Sequence, residues 1–287
     1  MGKFLPLDLH YLGSDEGRAL LVDLHRSLTR QGKKSTADGV MRVFRAIYRR
    51  ARRINTSLPE SPTQAVSFNN VPGRKRVVKD LAQWSQLVGG LSNPLMADLY
   101  WIAMLTGARE ATICEAKIEE VDLESGWWHI PNPKGGASRA YDVPLSDLAK
   151  EIFARRIDEA KKVGSEYIFW SRHSKSGHIV ETKPYDKRLP NIHTYRSSFI
   201  SYAVDAGIPD VLRKLLTNHK LGNDAHSGYI RGSVLGESLR AAQQRITDYI
   251  WTRTSTAATA SGSLSLAQAG HNHLRDEHHT VDRRSLS

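Results

Sequence analysis

The sequence predicts a mainly α-helical protein with a small antiparallel sheet, an α+β fold made of a short helical domain and a larger mixed domain. Apolar residues recur at the helical period through most of the 287 residues. Short β-prone runs cluster between residues 117 and 144. A stretch rich in Pro, Ser and Asn separates the two parts. We therefore predict a helical domain at 1–58, a linker at 59–76, a larger domain at 77–251 and a disordered tail at 252–287.

The first domain is predicted from two amphipathic segments. Residues 1–15 show no helical pattern and are interpreted as a loose lead-in. Residues 16–30 carry leucines at helical spacing, and Gly32 follows them. Ser35 begins a stronger helix, with Asp38 three residues on as a weak variant of the capping box. The polar surface of this helix is strongly basic and contains Arg42, Arg45, Arg49, Arg50, Arg52 and Arg53.

The basic residues of this helix and of the linker favour a polyanionic partner. Arginine and lysine side chains bind the phosphates of nucleic acids. The net charge of +11 over the whole chain favours nucleic acid over a membrane surface. The alternative interpretations are a solvated helix face and a merely soluble basic protein. The predicted DNA contacts are Arg42, Arg45, Arg49, Arg53, Arg74, Lys75 and Arg76.

The larger domain is predicted to combine helices with short strands. Gly and Pro residues set most of the boundaries. Helices are predicted at residues 78–88, 94–105, 146–163, 197–204, 209–217 and from 233 or 237 to 251. Strands are predicted at residues 117–122, 127–131, 140–144 and 167–170, with a polar loop at 171–188.

Cysteine usage and hydropathy indicate a cytoplasmic protein. The chain has one cysteine, Cys114, so an intrachain disulfide is excluded and a reducing compartment is expected. We interpret Cys114 as a small buried hydrophobe. The first residues lack the apolar run of a signal peptide, and no stretch approaches the roughly 20 apolar residues of a membrane span. The histidine-rich run at 271–279 lacks the ligand spacing of a structural zinc site, so neither a metal nor another cofactor is predicted.

Residues 189–232 concentrate the side chains of a candidate site. His193 and Arg196 are three residues apart and share a face of a helix. His219 ends the run LLTNH, and Tyr229 lies in the triplet GYI. Two imidazoles, a guanidinium and a phenol can hold a phosphate and attack it with an oxygen nucleophile. Taken singly, an H-x-x-R pair is usually a solvated helix face, and a tyrosine in such a triplet is usually packing.

The ordered set resembles the tyrosine recombinase family, the phage-type integrases. The run TGARE resembles the first arginine box of this family and adds Arg109. Lys134, in the Gly-rich turn of a predicted hairpin whose exit reads VPLS, resembles the catalytic lysine of the family. The resemblance covers most of residues 75–251 and, more weakly, residues 16–65. It implies a tyrosine-recombinase-like catalytic domain preceded by a short, partial core-binding domain.

The resemblance implies that the scissile phosphate is held by three side chains. Arg109 and Arg196 would hold its non-bridging oxygens by charge-assisted hydrogen bonds. His219 would donate a further hydrogen bond to the phosphate.

The remaining three residues would carry the proton and bond transfers. Tyr229 would be the nucleophile, and because its unperturbed pKa is roughly 10 it needs a cationic site or a base. His193 is the expected base, and Lys134 would protonate the leaving 5′-oxygen. The product would be a 3′-phosphotyrosyl link and a free 5′-hydroxyl.

The implied activity is site-specific recombination of double-stranded DNA without ATP or metal. Strand exchange uses four active sites on two duplexes, so the resemblance implies a homotetramer on DNA. It also allows an accessory DNA-bending protein. The implied location is the cytoplasm of a bacterium or of a phage-infected host, in association with DNA.

Two departures from the family pattern leave an alternative open. The arginine box usually carries Glu three residues after the Arg, where this chain has Thr112. The N-terminal helical domain is short for the family, which fits a compact variant, a truncated gene or a misplaced start codon. The alternative function is that of a truncated, non-catalytic DNA-binding remnant of an integrase. An RNA-binding basic protein with coincidental motifs is a third interpretation.

Overall fold

The computed structural model describes residues 8–69, 71, 76–183, 186–219 and 235–255. The chain divides into two compact units, Met1–Arg74 and Lys75–Ser287. The described residues are mainly helical and include one three-stranded antiparallel sheet. The predicted fold class is therefore confirmed.

The described residues of the first unit contain three α-helices: α1 at Leu9–Gly13, α2 at Asp15–Arg30 and α3 at Lys34–Ile54. The side chain of Asp8 accepts a hydrogen bond from the His10 amide at 3.0 Å and begins α1. Ser14 accepts from the Gly17 amide at 3.2 Å and begins α2. The predicted lead-in is thus partly helical, because two capping residues in succession satisfy the free amides at the starts of α1 and α2.

The segment that follows α3 belongs to the first unit rather than to a linker. Leu21 of α2 and Met41 of α3 pack with Val66 in one apolar cluster. Thr63, in a 3-10 turn at Pro62–Ala65, is fully buried. The predicted linker at 59–76 is therefore wrong for residues 62–69, whose composition resembles a linker but whose Thr63, Val66 and Phe68 pack in the first unit.

The predicted capping role of Asp38 is also wrong. The residue before α3 is Lys33, which makes no side-chain cap. Asp38 is 1% exposed and pairs with Nε2 of His25 at 2.9 Å and with the amide of Asn69 at 3.0 Å. Burial raises the pKa of Asp38, but the hydrogen bonds from His25 and Asn69 outweigh burial and bring the pKa to about 2. Asp38 therefore joins α2, α3 and the segment after them.

The second unit contains the other helices of the described residues. α5 is buried nearly all round, as its continuous apolar sequence requires, and packs against α8 and α7. Trp84 of α4 and Tyr100 of α5 each meet the ring of Tyr195 edge to face, at 5.6 Å between centroids. The helices are α4 at Leu81–Gly89, α5 at Pro94–Thr106, α6 at Glu110–Cys114, α7 at Asp147–Lys162, α8 at His193–Asp205, α9 at Asp210–Leu216 and α10 at Gly236–Ser255.

The sheet has the order β1-β2-β3, with strands at Val121–Asp122, Trp127–Ile130 and Tyr141–Pro144. Trp128 pairs with Val143, and Ile130 pairs with Tyr141. The predicted strand at 117–122 is mostly a 3-10 turn at Ile118–Glu120. The predicted strand at 167–170 makes only isolated bridges, although Ile168 and Phe169 are fully buried. The strand was predicted at 167–170 because the segment is apolar, but the segment is buried without a neighbouring strand among the described residues to pair with.

Two further predictions concern single segments. Cys114 is buried, as expected, and burial together with nearby glutamates raises the pKa of its thiol to about 12. The final helix continues to Ser255, so residues 252–255 do not belong to the predicted disordered tail. Residues 256–287 lie outside the described residues. No described helix is long and apolar enough to cross a membrane.

Candidate active site

Arg196, in the first turn of α8, is the buried centre of the candidate site. It is 7% exposed. One guanidinium nitrogen, Nη1, donates to the carbonyl of Gly107 at 2.6 Å, and the other, Nη2, donates to the carbonyl of Thr217. Gly107 is the C-cap residue after α5, and Thr217 is the C-cap residue after α9. Arg196 therefore fixes the ends of two helices relative to α8.

Gly107 is required at this junction by two observations. Its φ of +59° lies in the left-handed region that favours glycine. A Cβ atom there would lie 2.6 Å from the ring of Phe199. The glycine thus lets the chain turn sharply from α5 into Arg109, which precedes α6, while it presents its carbonyl to Arg196.

Arg109 and Arg196 place two positive charges close together. Burial and the charge of Arg109 lower the pKa of Arg196 to about 10, so Arg196 stays protonated at neutral pH. Over residues 8–69, 76–183, 186–219 and 235–255, no carboxylate lies within ion-pair distance of either arginine. Glu110, next to Arg109, instead accepts a hydrogen bond from Thr182. Uncompensated charge of this kind binds an anion such as phosphate.

His219 lies beside this pair of charges. Its Nδ1 is 2.7 Å from Oγ1 of Thr217, whose hydroxyl donates to the carbonyl of Arg213 at 2.6 Å. Because that hydroxyl proton is already used, we assign the proton of the neutral imidazole to Nδ1, which leaves Nε2 as an acceptor. Burial lowers the pKa of His219, and the nearby charges of Arg196 and Arg109 lower it further. His219 thus accepts at Nε2 when neutral and donates there only when protonated.

Tyr141, in β3, was not singled out from the sequence. Burial raises the pKa of its phenol, and the charges of Arg196 and Arg109 oppose that rise. Both arginines therefore act on Tyr141 as well as on His219. No local motif marks this tyrosine, because the sheet brings it to the two arginines from a distant part of the chain.

The other predicted site residues lie at exposed positions or outside the described residues. His193 begins α8 and is exposed, and its amide donates to Oδ1 of Asn191 at 2.9 Å. Lys134 is exposed in the connection between β2 and β3. Tyr229 lies in residues 220–234, which the structure does not describe.

The predicted DNA-binding arginines of α3 separate into two groups. Arg42 and Arg45 lie over the ring of Phe68, at 5.8 Å and 4.6 Å from its centroid. Arg45 also approaches Oγ1 of Thr63 at 3.4 Å, so it holds the segment after α3 in place. Exposed arginines at the end of α3 line an open cleft with Thr56, namely Arg49, Arg52 and Arg53. Arg76 is exposed, and Arg74 and Lys75 lie outside the described residues.

Comparison with known proteins places these features in a family. The model of the phage integrase family matches residues 80–230. Prophage integrase IntA of Escherichia coli (strain K12) is 28% identical over 182 residues, which are 58% of this chain and 40% of that protein. Tyrosine recombinase XerA of Pyrococcus furiosus is 26% identical over 126 residues, 40% of this chain and 42% of that protein. The chain thus spans about 40% of the length of these relatives.

Solved structures share the fold at low sequence identity. A lambda integrase tetramer bound to a Holliday junction superimposes with a TM-score of 0.54 at 17% identity, over 75% of this chain and 64% of that one. The Tn1549 transposon integrase with transposon right end DNA gives a TM-score of 0.56 at 14% identity, over 80% of this chain and 85% of that one. Because the family model matches more than half of this chain, the chain belongs to the phage integrase family.

Proposed function

We propose that this protein is a site-specific DNA recombinase that cleaves and rejoins DNA through a 3′-phosphotyrosyl intermediate. The observation that carries the proposal is the pair of cations Arg109 and Arg196 beside His219, with which no carboxylate in the described part of the chain forms an ion pair. A phosphodiester gathers negative charge on its non-bridging oxygens as the attacking oxygen approaches. Preformed cationic donors stabilise that charge more than they stabilise the ground state.

In the proposed cleavage step, Tyr229 Oη attacks the phosphorus while His193 takes the phenolic proton. The bond between phosphorus and O5′ breaks, and Lys134 gives a proton to O5′. The 3′ end stays joined to the tyrosine, and a free 5′-hydroxyl is released. The reverse reaction with a second 5′-hydroxyl rejoins the strands. Because the phosphotyrosyl link keeps the energy of the phosphodiester, the proposed reaction consumes no ATP.

His219 acts on the same phosphate in the proposed mechanism. Burial and the charges of Arg196 and Arg109 lower the pKa of His219, and a bound phosphate offsets the two charges. Protonated His219 then donates from Nε2 to a phosphate oxygen, while Nδ1 stays bonded to Thr217. The arginines supply the positive charge that a metal ion supplies in other phosphoryl-transfer sites.

Duplex DNA is the proposed partner, in a homotetramer that joins two duplexes. The lambda integrase that shares this fold is a tetramer on a Holliday junction, and we extend that arrangement to this chain. The exposed arginines at the end of α3 support phosphate contacts by the first unit. An accessory DNA-bending protein stays a prediction. Action on genomic or phage DNA places the protein in the cytoplasm of a bacterium or an infected host.

The test is covalent trapping on nicked duplexes tiled across the DNA that flanks the gene. The nick lets a short 5′-hydroxyl fragment diffuse away, so cleavage cannot reverse. We expect wild type and the control Tyr167→Phe to give a protein–DNA band on a denaturing gel, and Tyr229→Phe to give none. An adduct with Tyr229→Phe would contradict the nucleophile assignment. Salt-sensitive binding of these duplexes without an adduct from wild type would favour a non-catalytic DNA-binding remnant.

A further inference from the structure

The connection between β2 and β3, residues 131–140, carries Lys134 in a tight turn. The amide of Gly136 donates to the carbonyl of Pro133 at 2.9 Å, which closes the turn around Lys134. A 3-10 turn at Ala137–Arg139 follows and leads back into the sheet. We call residues 133–136 the lysine turn. Since the side chain of Lys134 is exposed, its position depends on how this turn is held.

Arg139 and Asn218 hold the connection by a reciprocal pair of hydrogen bonds. Nη2 of Arg139 donates to the carbonyl of Asn218 at 2.9 Å. Nδ2 of Asn218 donates to the carbonyl of Arg139 at 3.0 Å. The two residues are 79 positions apart in the chain, so these bonds join the connection to the segment that ends in His219. Each side chain binds the backbone carbonyl of the other residue. The two hydrogen bonds together restrict both the distance and the relative orientation of the two segments.

The lysine turn also rests directly on the side chain of Arg139. Gly135 has a φ of +118°, which an L side chain rarely adopts. A Cβ atom at Gly135 would lie 2.8 Å from Cδ of Arg139, so the glycine lets the turn approach the aliphatic part of the arginine. The same side chain therefore supports the lysine turn with its methylene groups and binds Asn218 with its guanidinium.

Asn218 has a backbone conformation suited to this contact. Its φ of +47° is left-handed, and asparagine tolerates that region better than most residues. The turn at Asn218 sends the chain from α9 to His219, whose amide donates to the carbonyl of Lys214 at 2.8 Å. The side-chain amide of Asn218 remains free to donate to the carbonyl of Arg139. The charge of Arg139 also acts on the imidazole of His219.

We propose that Arg139, together with Asn218, is a positioning residue that holds the lysine turn beside His219, so that Lys134 and His219 address the same scissile phosphate. This inference rests on the proposed function. Without the reciprocal bonds, the turn would keep its sequence but lose its anchor, and Lys134 would spend less time within reach of O5′. A misplacement of about 1 Å is enough to slow a positioned proton transfer by about 100-fold.

A substrate with sulfur at the 5′-bridging position separates a role of Arg139 in positioning Lys134 from a role in binding the phosphate. A thiol has a pKa of roughly 8.5, against roughly 15.7 for water, which an alcohol approaches. The thiolate therefore leaves without a general acid. On the ordinary phosphodiester we expect Lys134→Ala to slow adduct formation about 100-fold or more, and Arg139→Ala to slow it about 10- to 100-fold. On the phosphorothiolate we expect both variants to stay within about threefold of wild type.

Three further variants sharpen the test. Arg139→Ala combined with Lys134→Ala should be no slower on the phosphodiester than Lys134→Ala alone, since the two act in one step. Asn218→Gly keeps the left-handed turn but removes the amide donor, and should show the same substrate dependence as Arg139→Ala in weaker form. Arg253→Ala, at an exposed arginine in the last turn of α10, is the control and should match wild type on both substrates.

Hydrogen exchange gives a readout that does not depend on activity. In Arg139→Ala we expect faster amide exchange across residues 131–140 and unchanged exchange in α5. Unchanged exchange at 131–140, or adduct formation at the wild-type rate on both substrates, would overturn the inference. Equal slowing on both substrates would also overturn it and assign Arg139 to the phosphate instead. If wild type formed no adduct even with the phosphorothiolate, the proposed function itself would fail.

Discussion

At the scale of single residues, the site depends on two arginine charges that form no ion pair within the described residues. Arg196 is buried against two carbonyl groups, and Arg109 adds a second charge nearby. Burying a cation costs free energy unless hydrogen bonds and a nearby anion compensate it. The two carbonyls supply the hydrogen bonds, and the proposed phosphate supplies the anion.

The pKa of His219 tests this electrostatic picture in the free protein. We expect NMR titration of labelled histidine to give a value below 6.5, because burial and the adjacent arginines disfavour the protonated form. Removal of one cation in Arg109→Ala should raise the pKa. Orthovanadate, a phosphate mimic, should raise it in wild type by offsetting both charges.

The His219→Gln variant identifies the resonance of this histidine in the same titration. A value above 6.5 in the free protein would contradict the picture. A pKa of His219 that changes neither in Arg109→Ala nor on addition of orthovanadate would also contradict it.

Residue-level prediction from the sequence was uneven for physical reasons. Arg109 and Arg196 are marked by short motifs, and the family resemblance of those motifs implied that the two arginines share one phosphate. Arg139 and Asn218 have no such signal, because their contact depends on one left-handed φ and on two carbonyl directions. The roles of Lys134 and of Tyr229 stay predictions.

At the scale of elements, the junction between α5 and α6 carries the site. Gly107 turns the chain, packs on Phe199 and offers its carbonyl to Arg196. A side chain at this position would meet both a steric clash and an unfavourable φ. The geometry of the junction is thus coupled to the position of the buried arginine.

We therefore expect Gly107→Ala to lower the free energy of unfolding of the second unit by more than about 2 kcal/mol, since strain and overpacking add. Gly164→Ala is the matched control: its φ is +71° but nothing lies within 4 Å of the added Cβ. That change should cost only about 1 kcal/mol. Urea unfolding followed by tryptophan fluorescence measures both, because all six tryptophans lie in the second unit. Equal losses in the two variants would show that Phe199 yields and that the junction is not tightly packed.

Helix positions were predictable where apolar period and boundary residues agreed. α2, α5 and α7 follow their predicted ranges within two residues, since capping residues, Pro94 or polar ends bound them. The errors arose where burial came from long-range packing. Residues 62–69 have the composition of a linker but pack Val66 and Phe68 against the apolar cluster of the first unit. Residues 167–170 have the composition of a strand but make only isolated bridges.

At the scale of the whole molecule, the fold assembles a site from distant segments. Arg109 follows α5, Tyr141 lies in β3, Arg196 lies in the first turn of α8 and His219 follows α9. The fold class was predictable because the helical pattern dominates and the strands are few. The packing that brings these segments together was not predictable, because it depends on side-chain contacts between distant residues, such as that of Arg196 with Gly107, 89 positions apart.

Centrally, we propose that Tyr229 attacks a phosphate held by Arg109, Arg196 and His219. Peptide mapping of the trapped adduct tests this most directly. After nuclease trimming and trypsin digestion, Tyr229 lies in the peptide LGNDAHSGYIR, residues 221–231, and Tyr141 lies in AYDVPLSDLAK, residues 140–150. We expect mass spectrometry to find the nucleotide on Tyr229. A nucleotide on Tyr141, the tyrosine on which both arginines act, or on any other residue would contradict the account.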